Sequence, residues 1–319
     1  NKELLMANVI QNKNTPSNTV SISSANGNAA SKAAGTTSVV AKAADIDLDD
    51  KALYLNRELT WLAFNGRVLS MAADSKTPLL ERVKYLAVTG NSLDEFQMKR
   101  IGGLKQQRAA GVRDTTIDGL TPAEQITVCQ VKVRELHKEQ NRILRELMVL
   151  LSGQNIKLAN YDSLSVDEKA SQRKNFIENI FPLLTPLAMD PGHPFPFISN
   201  LALNLLVSLR HKGGSVFHIA RIKVPVTKDI APRFIRVGKE YKYVRLEDVI
   251  AHNLDLLFPG MEIMSCELFR VTRNAIVEVE EEGADDLLAM IESELRDRHF
   301  APIVRLQIGK GMNPTHRGM

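Results

Sequence analysis

The chain has 319 residues, 44% hydrophobic and 24% charged, with a formal net charge of +4. Those proportions are ordinary for globular domains, and the length allows two of them plus an unfolded segment. No apolar run is long enough to span a bilayer. The two isolated cysteines, Cys129 and Cys266, are too few for a disulfide framework or a zinc cluster and imply a reducing, cytosolic setting.

In chain order, residues 1–50 are rich in Ser, Asn, Ala, Thr and Gly and hold neither an aromatic residue nor an arginine. Such a stretch buries too little apolar surface to offset its ordering entropy, so a disordered tail is expected. The missing arginine argues against a transit peptide. Leu55, Leu59, Leu62 and Leu69, with Trp61, Phe64 and Val68, predict an amphipathic helix over 55–73. Asp74–Pro78 separates it from a second helix running to about Gln107. Within that helix Tyr85, Leu86, Leu93, Phe96 and Ile101 recur at helical spacing, while Gly90-Asn91-Ser92 are weak helix formers and predict a break. A helix that stops and restarts exposes free N–H groups able to receive a phosphate or a base edge. From the local residues alone the favoured reading is plainer, a kink or a tight turn between two core helices.

Thr121-Pro122-Ala123-Glu124 forms a capping box with proline in the first turn. The following Ile126, Cys129, Val133, Leu136, Gln140, Ile143, Leu147 and Leu150 alternate steps of three and four, a heptad seam. This rod over 122–151, about 45 Å long at 1.5 Å per residue, suits either an intramolecular bundle or pairing between subunits. Asn160–Leu164 reads as a linker. Ser165 and Glu168 form a second capping box, opening a helix to about Phe181. The prolines between Pro182 and Pro196 then demand extended or turned chain.

Beyond this seam the period changes to two. Leu201–Leu209 and Val216–Val224, joined by Gly213-Gly214, predict a hairpin, and Phe234–Val237 with Tyr241–Val244 a second. Leu246–Phe258 reads as a helix, Ile263–Thr272 and Ala275–Val279 as strands, 284–295 as a helix and Ile303–Ile308 as a last strand. The expected fold is therefore multi-domain, α and α+β. A disordered tail (1–50) precedes an antiparallel helical bundle (51–160) and an α+β head (161–319) with mainly antiparallel strands and helices on one face.

From Arg210 to Arg245 ten Lys or Arg face only Asp229 and Glu240. On hairpins, alternate residues share a face. The run therefore presents a cationic strip to a polyanion, or else a solvated outer face whose charges protect the sheet edges. Arg270 and Thr272 fall on one strand face, Val271 and Arg273 on the other. The arginines suit phosphate oxygens, or they pair with the acids at 278–282. His193 stands alone in a proline-flanked loop with no metal-ligand spacing around it. No phosphate-binding glycine loop, kinase signature or nucleophile elbow occurs.

Asn56–Arg100 (NRELTWLAFNGRVLSMAADSKTPLLERVKYLAVTGNSLDEFQMKR) closely resembles the N-terminal helical domain of the type-1 polyphosphate kinases. LLTPLAMDPGHPFPFISNLALNL (183–205), RIKVP (221–225), LFPGM (257–261), FRVTRNA (269–275) and ADDLL (284–288) follow in the family's order, so the resemblance covers 54–319. It implies a phosphotransferase that moves the ATP γ-phosphate reversibly onto polyphosphate through a phosphohistidine, with Mg²⁺. In that family the phosphorylated histidine and most phosphate-binding arginines lie in two C-terminal domains. The resemblance therefore implies no catalytic residue and no metal ligand here, a structural role for His193, and a fragment inactive by itself. It places Ser92, where the family has asparagine, at the ATP base, with Asn91 as a substitute contact. It puts Arg221, Lys223, Arg233 and Arg236 toward polyphosphate. Ile276 stands where aspartate is common. A homo-oligomer is implied, cytoplasmic or peripheral to a membrane, with no DNA or RNA partner. The alternative is a non-catalytic polyanion-binding or oligomerisation module.

Overall fold

The structure, a computed structural model, describes residues 47–189, 195–227, 230–275 and 301–318. Three long helices open it. The first, α1 (Arg57–Ala73), begins at Asn56, whose side chain accepts from the amides of Glu58 and Leu59, satisfying donors that a helix N-terminus otherwise leaves bare. Next come α2 (Leu79–Phe96), a π turn over Gln97–Ile101 and α3 (Gly102–Ala109). The rod α4 (Pro122–Gly153) starts at the predicted capping box. It packs against α1, α2 and α3, so the seam closes an intramolecular bundle. Leu62, Leu69, Leu86, Leu93 and Phe96 meet Ile126, Cys129, Val133, Leu136, Ile143 and Leu147 in one core. The seam's expected last member, Leu150, is 41% exposed, and Leu151 is buried in its place. A straight helix drifts by about 20° per heptad from a 3.5-residue repeat, so after three heptads the buried stripe has moved round.

The expected break at Gly90-Asn91-Ser92 is absent, for α2 runs through it without interruption. Weak helix formers cost at most about 1 kcal/mol each relative to alanine. Leu86, Thr89, Leu93 and Phe96 on the same helix are all buried, and burying a single large apolar side chain contributes about 1.5–3 kcal/mol. Packing therefore outweighs propensity. The helix loosens only later, at the π turn.

The predicted linker is also absent as such. Asn155–Leu164 holds a short strand, β1 (Lys157–Leu158), and a 3₁₀ turn whose Tyr161, with Leu164, is buried in a second core. The Ser165–Glu168 capping box opens α5 (Val166–Asn175), which passes into π and 3₁₀ turns by Leu183 instead of staying α-helical to Phe181.

A five-stranded sheet follows in the order β2–β4–β3–β7–β8, all neighbours antiparallel. Its strands are β2 (Leu187–Met189), β3 (Leu203–His211), β4 (Phe217–Lys223), β7 (Met261–Arg273) and β8 (Ile303–Ile308). The β3–β4 hairpin turns at Gly213, whose φ of 78° lies in the left-handed region. Leu201, expected in β3, has φ 58° and precedes the strand. The second hairpin, β5 (Phe234–Arg236) with β6 (Lys242–Arg245), is joined in parallel by β1, which stitches the end of α4 into this unit. The expected helix 246–258 is two short ones, α6 (Leu246–Ala251) and α7 (Leu254–Leu257). Between them Asn253 leaves helical geometry and donates its side-chain amide to Val249 O at 2.7 Å.

Both faces of the large sheet carry buried apolar residues. Leu205, Val207, Leu209, Ala220 and Ile222 join the core with Tyr161, Phe176 and Val249, while Leu206, Phe269 and Val271 meet Ile198 and Met312 on the other side. Of the strand expected over Ala275–Val279 only Ala275 is described, and it is not in a strand; the rest of it, with Ile276, the helix 284–295 and His193, lies outside the described residues, as does most of the tail.

Candidate nucleotide-facing groove and phosphate-facing cavity

Two of the places among the described residues that combine fixed charge with open space hold the residues singled out in the sequence. The first is beside the π turn. Trp61 of α1 stacks on Phe96 of α2 with ring centroids 5.0 Å apart. Together with Glu95, Lys99, Arg100 and Ala275 they line a groove of about 420 Å³. Helical spacing puts Ser92, Glu95, Phe96 and Lys99 on one stripe. Ser92 is half-buried and Asn91 exposed, so neither is sealed in the bundle. Lys99 pairs with Glu95 at 2.7 Å, and Arg100 Nε stands 3.7 Å from Glu58 Oε2, a buried oxygen with no hydrogen-bond partner. Ala275 N donates to Met98 O at 3.0 Å, so the chain leaving β7 borders the same groove.

Behind the groove a buried polar cluster ties bundle to sheet. Asp94 Oδ1 accepts from Arg270 Nη2 at 2.9 Å and from Arg305 Nη2. Gln307 Oε1 accepts from Arg270 Nε at 2.8 Å and from Arg305 Nη2 at 2.9 Å. Arg305 Nε reaches Thr272 Oγ1 at 3.3 Å. Arg270 and Thr272 thus share a strand face, as their spacing predicts, but the acid they meet is Asp94 of α2; residues 278–282 lie outside the described residues. Arg273, on the opposite face, donates to Ile198 O and Ala301 O and lies 4.4 Å over the Phe197 ring. These arginines hold the fold together. Sequence reasoning missed Arg305 and Gln307, which carry no local motif.

The second place lies along β4. Arg221, Lys223 and Arg233 line one cavity of about 610 Å³, and Arg236 is not among its residues. Arg233, buried, is bound at two points by the equally buried Glu247, at 2.7 and 3.0 Å. Arg236 donates to the carbonyls of Lys239 and Glu240 in its own hairpin and lies over Tyr241. Much of the basic run is paired in this way: Arg210 with Glu262, Lys242 with Glu168, Arg245 with Asp248.

The five described histidines all have partners. His137 meets Gln140, His211 packs edge-on to His218, His252 stacks on Tyr161, and His316 bridges Ser208 and Glu267. Among the described residues no group of three or more His, Cys, Asp or Glu could hold a metal ion. No described helix is long and apolar enough to cross a membrane.

An antiparallel helical bundle locked through buried ion pairs to a mainly antiparallel head defines the class: a two-unit α and α+β protein with charged grooves at its seams. Family comparison makes it specific. The polyphosphate kinase N-terminal domain matches residues 54–159 and the polyphosphate kinase middle domain matches 167–319, and the chain belongs to the polyphosphate kinase family. It is 44% identical over 281 residues to a polyphosphate kinase of Thermosynechococcus vestitus, covering 85% of this chain and 38% of that protein. A Synechocystis polyphosphate kinase is 47% identical over 276 residues, covering 82% and 38%. The crystal structure of polyphosphate kinase from Porphyromonas gingivalis aligns with TM-score 0.54 at 29% identity, over 67% of this chain and 33% of that one. The chain thus spans about 38% of the length of these curated relatives.

Proposed function

We propose that this chain serves a phosphotransferase that moves the γ-phosphate of ATP reversibly onto inorganic polyphosphate, as its bundle and head. Its own contributions are a contact to the ATP base, one wall of the polyphosphate path and surface for a second copy. The division into a tail (1–50), a helical unit (51–160) and a head (161–319) is part of this reading, and the separation of the bundle's core from the two core clusters of the head supports it. The histidine that carries the phosphoryl group is placed outside these 319 residues. Mg²⁺ belongs to the proposed reaction, and no ligand for it is assigned here. The reading places the protein in the cytoplasm or peripheral to a membrane.

One observation carries the proposal: Glu95, Phe96 and Lys99, on the helical stripe that Ser92 begins, line an open groove with an aromatic wall and two cations, Ser92 itself standing one turn before the lining residues. An aromatic face suits a nucleobase, and cations suit its phosphates. Serine offers one hydroxyl where asparagine offers a paired donor and acceptor. Titration of a fluorescent ATP analogue into the chain tests this. Ser92→Asn should tighten binding several-fold, by about one hydrogen bond, and Asn91→Ala should weaken it. Identical affinity in all three proteins would refute the base contact. Incubation with labelled ATP and Mg²⁺ should leave no acid-labile label on the chain.

A second reading, an oligomerisation module, is favoured by the outward apolar residues of α4, where Val131, Val149 and Leu150 are exposed. Sedimentation of Val131→Glu/Val149→Glu against the parent chain separates it from the first.

A further inference from the structure

Alternation along β4 sends Ala220 and Ile222 into the core and Arg221 to the other face with Lys223. β4 is an interior strand, and Arg221 is flanked there by Leu187 of β2 and Leu206 of β3. It is only 6% exposed. Its Nε donates to Asn204 Oδ1 at 2.8 Å, and Asn204, fully buried, donates in turn to Ala202 O. Among the described residues no carboxylate pairs with this guanidinium. Arg233, lining the same cavity, is by contrast neutralised by Glu247. A buried cation with no counter-charge carries an uncompensated desolvation penalty, and burial accordingly pulls the pKa of Arg221 below its ordinary value. Because arginine stays charged even so, the arrangement points to an anion supplied from outside.

The cavity fits that role. Its polar side chains among the described residues are Arg221, Lys223, Arg233, Thr185 and Thr227, and no described Asp or Glu lines it. Thr227 Oγ1 already accepts from Ala231 N at 2.9 Å, which leaves its hydroxyl proton to donate. Lys223 is exposed, and its Nζ donates one long hydrogen bond, 3.4 Å, to Ser199 Oγ, which leaves two of its three protons for an anion. Apolar neighbours such as Leu187 and Val224 lower the local dielectric and strengthen a charge-assisted bond. Among the described residues no aromatic side chain lines the space, so none of them offers a nucleobase a stacking face.

We infer that this cavity is a discrete binding site for an inorganic phosphoryl anion, orthophosphate or the end of a short oligophosphate. The Arg221 fork is its buried contact and Lys223 its exposed one. The inference deepens the reading of the head as a polyphosphate wall, and rests on it. It replaces a diffuse cationic strip with one fixed seat.

Calorimetric titration of the 319-residue chain with tripolyphosphate, orthophosphate and AMP at low salt is the test. We expect one-site binding of tripolyphosphate. Arg221→Gln should weaken it by about tenfold or more, the range for losing a charge-assisted bidentate contact. Lys223→Gln should weaken it less and flatten its salt dependence. Lys239→Gln, in the same basic run but away from the cavity, should change nothing. Arg221→Lys, which keeps charge but loses the fork, should fall between. If Arg221→Gln fails to fold, the exposed Lys223 decides the matter. Equal tripolyphosphate affinity in the parent, Arg221→Gln and Lys223→Gln would overturn the site while leaving a polyanion-facing head intact. Arg221-dependent binding of AMP without tripolyphosphate would overturn the inorganic class. Silence from the parent chain toward every phosphate would end both the site and the wider reading.

Discussion

Asp94 and Arg270 are 176 positions apart in the chain, yet Asp94 Oδ1 and Arg270 Nη2 meet at 2.9 Å, both residues buried. Two of the sequence's most distinctive stretches, LDEF and FRVTRNA, thus converge at one carboxylate that joins bundle to sheet. Arg305 shares that carboxylate, so one negative charge holds two guanidiniums. Asp94→Asn keeps the shape and removes the charge, leaving both cations buried together. Breaking a buried pair in this way typically costs about 3–5 kcal/mol. Urea unfolding of the chain should show a loss of this order, and an unchanged midpoint would mean that the cluster holds nothing.

The same cluster faces a histidine. Burial holds the His137 pKa below its ordinary 6.5, reinforced by Arg305 and Arg270 and opposed by the Gln140 bond and Asp94. The folded state therefore binds the proton less readily than the unfolded one. His137 contributes stability that is fully present above about pH 6.5 and lost as pH falls from there through its lower folded pKa. Unfolding free energy measured from pH 8 to 5 should decline over that window, and His137→Gln should flatten the decline. An identical slope in the variant would exclude His137 as its source.

Two helical glycines should respond oppositely to alanine. At Gly66 a Cβ would meet only Leu136 Cδ2, at 3.7 Å, so Gly66→Ala should raise stability by about 0.5–1 kcal/mol. At Gly102 a Cβ would overlap the side chain of Asn274, itself buried where the sheet meets the π turn. Gly102→Ala should therefore lower the melting temperature despite better helix propensity, and Gly102→Ala/Asn274→Ala should recover part of the loss. Equal gains at both positions would refute the close approach.

Neither cysteine should behave as a reactive thiol. Burial, with Glu58 nearby, raises the Cys129 pKa to about 11, and burial with Glu267 and Asp248 raises that of Cys266 to about 12. The thiolate is the species that alkylates. Iodoacetamide at pH 7.5 should label both slowly in the native chain and fast in urea, and rapid native labelling would contradict their placement.

Local chemistry was legible in the sequence because it needs only neighbours. Thr121 with Glu124, Ser165 with Glu168 and the Gly213 turn are each settled within a few residues, and all stand where spacing puts them. The heptad seam of α4 was legible until its drift displaced Leu150. What failed depended on distant partners. Gly90-Asn91-Ser92 signals a break locally, but burial of the flanking stripe overrides it. The charge count from Arg210 to Arg245 could not say which cation would find a carboxylate. Arg233 finds Glu247 and Arg221, among the described residues, finds none, and that difference separates a structural pair from a candidate site. Arg305, at the end of the described chain, had no signal at all before the fold brought it to Asp94.

The parallel pairing of β1 with β6 places two residues just after α4 in register with Lys242 and Tyr243. Bundle and head therefore share a backbone splice as well as an ionic one. Cutting the chain between the two halves would strip β6 of a neighbour and bare its amides, so each half carries part of the other's fold.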